Sequence, residues 1–285
     1  MSMPFAEVIG DPIAQSKSPA IHRFWLEKLG IEAEYRATRV TEDELPEFLS
    51  DRQKDPHWRG CNVTMPLKQA VIPHLSLIEE PASSIGAVNT IYPAFDRLLV
   101  GTNTDGAGFL EPLADDLAIA HLFRMARIIG AGGAARAIAH ALAAKNFTLV
   151  IAARRTEQAE EIIASLPEGT QHHVVALDHF ATPTDFAFDD RHGLLDLVVN
   201  ASPLGMRGKP ALSFDWSHAP PGAIAYDIVT DPLDTEFLAR AREANHRAID
   251  GLDMLIGQAA QAFGRFFGQT PPREHDRELR ELLTA

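Results

Sequence analysis

A single cysteine, Cys61, is present in 285 residues. That excludes an internal disulfide framework and any zinc site built from several thiolates. Histidine is more plentiful, at 12 residues, but no HExxH spacing occurs, and the adjacent His172 and His173 read as a solvated strand end, so no metal is expected. No apolar run approaches the roughly 18–20 residues that cross a bilayer. Residues 1–11 lack the basic region and long apolar core of a signal peptide, and a cytoplasmic location is the expectation. Basic residues are scarce relative to acidic ones: 26 Lys and Arg stand against 39 Asp and Glu, a net charge of −13. Nucleic acids and anionic membrane surfaces both require a basic face, so neither is an expected partner. A small anionic ligand remains possible, because it responds to the local field of its pocket. Fixed-period repeats and low-complexity tracts are also missing.

What is there suits a globular chain. Hydrophobic residues make up 46% and charged residues 23%, enough apolar material to offset the entropy of ordering. The length suggests about two domains. In the first part, strands are expected at 6–9, 35–40 and 59–64, and helices at 19–29, 41–49 and 66–72. Ser18 with Pro19 would open the first helix, and Thr41 with Glu44 has capping-box spacing. Segments 87–93 and 98–101 would pair across a turn at 95–97, and a helix capped by Thr104 would run to 116. From residue 126 the texture changes. Strands at 126–129, 148–153, 174–177, 195–200, 223–229 and 248–249 alternate with helices at 134–144, 156–166 and 232–244. Such alternation, with continuous apolar strands, predicts parallel βαβ units buried on both faces. Loops are expected at 182–193 and 205–221, and helices at 252–267 and 274–283 close the chain.

The segment Gly130-Ala131-Gly132-Gly133-Ala134-Ala135 matches G-x-G-x-x-A. It follows a strand and opens a helix, the context a dinucleotide turn requires. Gly130 permits the tight turn, Gly132 lets backbone approach a pyrophosphate, and the helix N-terminus offers free N–H groups. An NAD site would carry a carboxylate at the end of the next strand; here Arg154-Arg155-Thr156 stands there, suiting a 2′-phosphate. Arg136, in the first turn of the same helix, could add phosphate contacts or face solvent.

Four polar motifs precede that turn: residues 10–19 with Ser16 and Ser18, Gly60-Cys61-Asn62-Val63-Thr64-Met65-Pro66-Leu67-Lys68, Ile85-Gly86-Ala87-Val88-Asn89-Thr90, and Gly101-Thr102-Asn103-Thr104-Asp105-Gly106. Hydroxyls and amides at strand ends suit a polyhydroxylated small molecule. Lys68 can protonate a ketone oxygen as hydride arrives, and a carboxylate such as Asp105 would orient it. An ordinary lysine titrates near ~10.4, so the oxidation direction should be favoured at alkaline pH. Cys61 reads as a small apolar packer, since hydride transfer needs no nucleophile.

Together these motifs resemble the shikimate dehydrogenase family over nearly the whole chain. So do Asn200-Ala201-Ser202-Pro203-Leu204-Gly205-Met206, Tyr226-Asp227, and Gly251 through Gln258-Ala259. The resemblance implies an α/β fold of two domains. One is a substrate-binding domain with a mostly parallel sheet, residues 1–105 completed by helices in 251–285; the other is a Rossmann-like NADP-binding domain, 106–250, with the active site in a cleft between them. It implies NADPH-dependent reduction of 3-dehydroshikimate to shikimate, with Lys68 as acid/base and Asp105 as its partner. Ser16, Ser18, Thr64, Asn89, Asp105 and Gln258 would hold substrate, with Thr230 at the position of a family tyrosine. Gly130, Ala131, Gly132, Gly133 and Ala134 would cradle the pyrophosphate. Arg154, Arg155 and Thr156 would take the 2′-phosphate, and Ile228 and Gly251 would border the nicotinamide. Ala201 and Met206 would lie along the cofactor face.

The sequence departs from the family at Gln15, where a histidine is common, at Arg154, where an asparagine is usual, and at Thr230. A quinate/shikimate dehydrogenase with broader substrate or cofactor use, and a non-catalytic NADP-binding regulator, are the alternatives. A monomer or homodimer is expected.

Overall fold

The computed structural model describes residues 3–186, 188 and 193–284. The chain divides into two compact units, Met1–Gly108 with Leu255–Ala285, and Phe109–Met254.

The first unit is built on a six-stranded sheet of order β2-β1-β3-β5-β6-β4. Its strands are β1 (Phe5–Gly10), β2 (Glu34–Arg39), β3 (Trp58–Val63), β4 (Leu77–Ile78), β5 (Thr90–Pro93) and β6 (Leu99–Thr102). β5 runs antiparallel to β3 and β6, and the other pairs are parallel. This orientation puts the start of β5 at the same sheet end as the finish of β3 and β6. All of β1 is buried, as its apolar run requires. Glu7 within it is fully buried, and accepts from Thr38 Oγ1 at 2.5 Å and Arg52 Nε at 2.7 Å, which compensates its desolvation.

Several local expectations change. Ser18 does not cap the helix Ser18–Leu29; it is the first helical residue, and no side chain caps that end. Glu44 does reach back to Thr41, accepting from its N–H at 2.8 Å and its Oγ1 at 2.9 Å. These bonds, to a tight turn, hold the Glu44 carboxyl below its usual range. The helix itself is Leu45–Lys54, with Pro46 in its first turn. The helix expected at 66–72 splits into Leu67–Ala70 and a 3₁₀ turn Ile72–His74, since Pro73 has no N–H to continue it. The helix expected to begin at Thr104 is Asp105–Leu110, followed by a 3₁₀ turn Glu111–Leu113 and a helix Ala114–Ala118. β4 and the helix Ala82–Ile85 are too short to show a hydrophobic period in sequence.

The second unit holds β7 (Phe123–Ile129), β8 (Thr148–Ala153), β9 (His173–Ala176), β10 (Leu194–Asn200), β11 (Ile224–Asp227) and β12 (Arg247–Ile249). They form an all-parallel sheet of order β12-β11-β10-β7-β8-β9. This is the doubly wound order of paired mononucleotide-binding halves. Ile128, Leu149, Ile151, Leu197 and Val199 form its core with the alanine face of the helix Gly133–Ala143. The helix expected at 232–244 is Glu236–Glu243, because Thr235 Oγ1 accepts from Leu238 N and starts it there. Of the loop expected at 182–193, residues 187 and 189–192 lie outside the described residues. The loop at 205–221 contains a 3₁₀ turn, Trp216–His218. Among the described residues, no helix is long and apolar enough to cross a membrane, and no group of His, Cys, Asp and Glu could hold a metal.

Candidate active site

In the first unit, Lys68 follows β3 in the short helix Leu67–Ala70, and Asp105 follows β6 at the start of the helix Asp105–Leu110. Their side chains meet as an ion pair, Lys68 Nζ donating to Asp105 Oδ2, and both are largely buried. The Asp105 backbone N–H is itself held by Asn103 Oδ1 at 2.9 Å, and Asn103 Nδ2 donates to Ala87 O at 2.9 Å. Asn89, 2% exposed just before β5, is the centre of the cluster. Its Nδ2 donates to Asp105 Oδ1 at 2.8 Å and Thr104 Oγ1 at 2.9 Å, while its Oδ1 accepts from the Thr104 N–H at 2.9 Å. Gln258 Oε1, on the helix Gly251–Phe267, accepts from Asn89 and Thr104 at 3.4 Å. The result is a cation whose counter-ion cannot rotate, a suitable arrangement for delivering one proton to one place.

Of the residues expected to hold substrate, Asn89, Asp105 and Gln258 are thus joined to one another. Ser16 Oγ accepts from the Ser18 backbone N–H at 3.3 Å. Thr64, half-buried at the end of β3, donates its N–H to Ile9 O and accepts from the Leu67 N–H, which fixes the turn into the Lys68 helix. Thr230 is half-buried in the second unit, one residue before Asp231, which pairs bidentately with Arg207. Cys61 is fully buried in the first unit's core, where burial pushes its thiol up. Thr104, read from the sequence as a cap, instead turns its hydroxyl to Asn89 and Gln258. The signal was its place beside Asp105 in an amide- and hydroxyl-rich motif.

In the second unit, Gly130 has φ 116°, and a Cβ there would sit 2.7 Å from Ala201 O, so only glycine makes this turn without strain. Around Gly132 nothing would obstruct a Cβ; the space outside the turn is open. Ala131 and Gly133 are half-buried beside it. Ala134 is in the first turn of the helix Gly133–Ala143, whose N-terminus no side chain caps, leaving N–H groups for an anion. Arg154 and Arg155 are exposed after β8 and have no ion-pair partner among the described residues, and Thr156 begins the next helix. Free guanidiniums beside an open, glycine-lined turn fit a phosphorylated dinucleotide. Arg136 does not face solvent: it is mostly buried and pairs with Glu161 at 2.8 Å. A Cβ on Gly251 would lie 2.5 Å from the Ile228 carbonyl, so these two residues form one close backbone contact. Asp227, beside them, accepts from Asn200 Nδ2, the Val229 N–H and Thr235 Oγ1. Burial nevertheless pushes its carboxyl up to about 6.

A shikimate dehydrogenase (NADP(+)) of Sphingopyxis alaskensis is 49% identical over 287 residues, spanning 99% of this chain and 97% of its own. The chain belongs to the shikimate dehydrogenase family. Within it, residues 8–91 match the shikimate dehydrogenase substrate binding domain and residues 251–279 the shikimate 5′-dehydrogenase C-terminal domain. The structure of shikimate 5-dehydrogenase from Thermus thermophilus in complex with NADP(H) and shikimate is similar at TM-score 0.81 and 32% identity, covering 99% of this chain and all of that one. Quinate dehydrogenase from Corynebacterium glutamicum in complex with NAD is similar at TM-score 0.83 and 29% identity, covering 98% and 99%. Shikimate dehydrogenases thus share with this chain a family and a two-unit α/β architecture.

Proposed function

We propose that this protein catalyses the NADP-dependent interconversion of 3-dehydroshikimate and shikimate. The observation that carries the reading is the buried Lys68–Asp105 pair, held by Asn89 in a chain of this family. NADPH, when bound, supplies the hydride. Lys68 gives its proton to the carbonyl oxygen that becomes the new hydroxyl, and recovers one from solvent. Asp105 keeps the ammonium in place and balances its charge. Asn89, Thr64, Ser16, Ser18 and Gln258 bind the ring hydroxyls and carboxylate. The unit Met1–Gly108 with Leu255–Ala285 serves as the substrate-binding domain, and Phe109–Met254 as the NADP-binding domain. There Gly130, Gly132 and the helix N-terminus hold the pyrophosphate, and Arg154, Arg155 and Thr156 the 2′-phosphate. Ile228 and Gly251 border the nicotinamide ring. The enzyme works in the cytoplasm on a small-molecule substrate, as a monomer or homodimer. The test is NADPH oxidation with 3-dehydroshikimate and NADP⁺ reduction with shikimate. Folded protein that turns over neither, with NAD also tried, refutes the reading.

Thr230 supports a second reading, in which quinate is accepted as well, because a threonine leaves room where the family's tyrosine ring would stand. Comparing quinate with shikimate, each with NADP⁺ and NAD⁺, separates the two.

A further inference from the structure

The catalytic pair is one end of a longer chain of hydrogen bonds, and the rest of that chain lies in the core. Tyr35, on β2, is 5% exposed. Its hydroxyl donates to Asn62 Oδ1 at 2.6 Å. Asn62 Nδ2 donates to Thr90 Oγ1 at 3.0 Å, and Thr90 Oγ1 donates to Asn89 Oδ1 at 2.9 Å. Asn89 Nδ2 then donates to Asp105 Oδ1, whose other oxygen accepts from Lys68. Every bond points the same way, from the tyrosine hydroxyl to the carboxylate. None of Tyr35, Asn62, Thr90 and Asn89 is more than 5% exposed, so water does not compete for the bonds. The order is set by chemistry. An amide has one acceptor end and one donor end, so a donor at Asn62 Oδ1 obliges Nδ2 to face Thr90. A hydroxyl that accepts there is free to donate onward, and this helps turn the Asn89 amide so that its NH₂ meets Asp105. The sheet supplies the register, because Asn62 lies opposite Thr90 across β3 and β5. Tyr35 is fixed in turn by the His22 ring stacked on it at 3.9 Å between centroids.

We infer that Tyr35 and Thr90 are positioning residues for the Lys68–Asp105 pair, acting through Asn62 and Asn89 without touching substrate. This rests on the dehydrogenase function proposed above. Thr90→Val removes the central hydroxyl at nearly constant shape, Thr90→Ser keeps it, and Tyr35→Phe removes the first donor.

The Thr104 N–H also orients Asn89, so the loss is partial. Thr90→Val should lower kcat about five- to tenfold and Tyr35→Phe somewhat less. Thr90→Ser should restore kcat, and the double variant should be no slower than Thr90→Val alone. The Asn89 side-chain amide signals in ¹H–¹⁵N spectra should move in Thr90→Val and Tyr35→Phe and return in Thr90→Ser. That readout needs no turnover, so it stands even if the wild-type protein reduces no 3-dehydroshikimate, an outcome that would count against the function alone. Unmoved Asn89 signals overturn the relay. So do moved signals with unchanged kcat, or additive losses in the double variant.

Discussion

The cluster around Asn89 and the turn at Gly130 both stand at strand ends, yet they are made of different materials. The first is made of side chains already bonded to one another: Lys68 to Asp105, and Asp105 to Asn89. Gln258 and Thr104 close around the same amide. The second is made of backbone. Its glycines bring the chain close to Ala201 or leave space open, and the nearby Arg154 and Arg155 have no ion-pair partner among the described residues. The difference follows from the tasks proposed for them. A proton donor must be held in one orientation before substrate arrives, which favours a satisfied, buried network. A pyrophosphate must be admitted, which favours exposed N–H groups, missing side chains and cations in reserve.

The largest test removes the centre of the bonded site. Lys68→Ala should lower kcat by about 10²–10⁴-fold with NADP⁺ affinity unchanged. A kcat near wild type would mean that the buried pair is structural. Next comes the open site. Replacing both Arg154 and Arg155 by alanine should weaken NADP⁺ about ten- to a hundredfold and leave NAD⁺ almost unaffected, because charge-assisted bonds to phosphate are lost. Undiminished discrimination between the two cofactors would assign the 2′-phosphate to other residues.

The pH dependence of stability should also divide the units. His22 is fully buried in the first unit, and burial holds its pKa down at about 3. An unfolded chain would take up a proton near pH ~6.5 that the native state refuses. Stability should therefore fall as pH drops from about 6.5 toward 3, by on the order of 4 kcal/mol. Denaturant titrations of His22→Phe should show a flatter acid limb, and an unchanged slope would argue against a neutral buried histidine. Asp227 in the second unit has the opposite sign, its folded value of about 6 lying above the ordinary carboxylate range. Its contribution is complete below pH ~4 and is lost as pH rises through about 6, on the order of 3 kcal/mol. Asp227→Asn should remove that loss, so that the variant's stability climbs more steeply from pH 4 to 6 than the wild type's, the His22 contribution being no longer offset. The smallest expected effect is Thr230→Tyr, a change of a few-fold in KM or in preference between shikimate and quinate. Identical constants for both substrates would remove Thr230 from the specificity argument.

Much of the open site was legible in sequence, since a G-x-G-x-x-A run between an apolar strand and an alanine-rich helix is a local pattern. The parallel sheet around it could likewise be read from alternating strands and helices. Arg136 was the exception. Its position left phosphate and solvent open; Glu161 on the following helix pairs with it, and no local pattern encodes that pairing. The bonded site was legible only as a set of unusual motifs. Thr104 looked like a helix cap because Thr before an acidic first turn usually is one, yet its hydroxyl belongs to Asn89 and Gln258.

By itself, then, the sequence determined the dinucleotide-type turn, the doubly wound alternation and the candidate residue types, because each depends on neighbours within a few positions. Tertiary structure alone decided which of those residues act together. Lys68 and Asp105 are 37 positions apart, and Asn89 and Gln258 are 169 apart. Their meeting depends on the antiparallel β5 bringing Asn89 to the strand ends of β3 and β6, and on the helix from Gly251 carrying Gln258 into the first unit. The direction of the bonds from Tyr35 was decided there too, since an amide's orientation depends on which buried donors surround it.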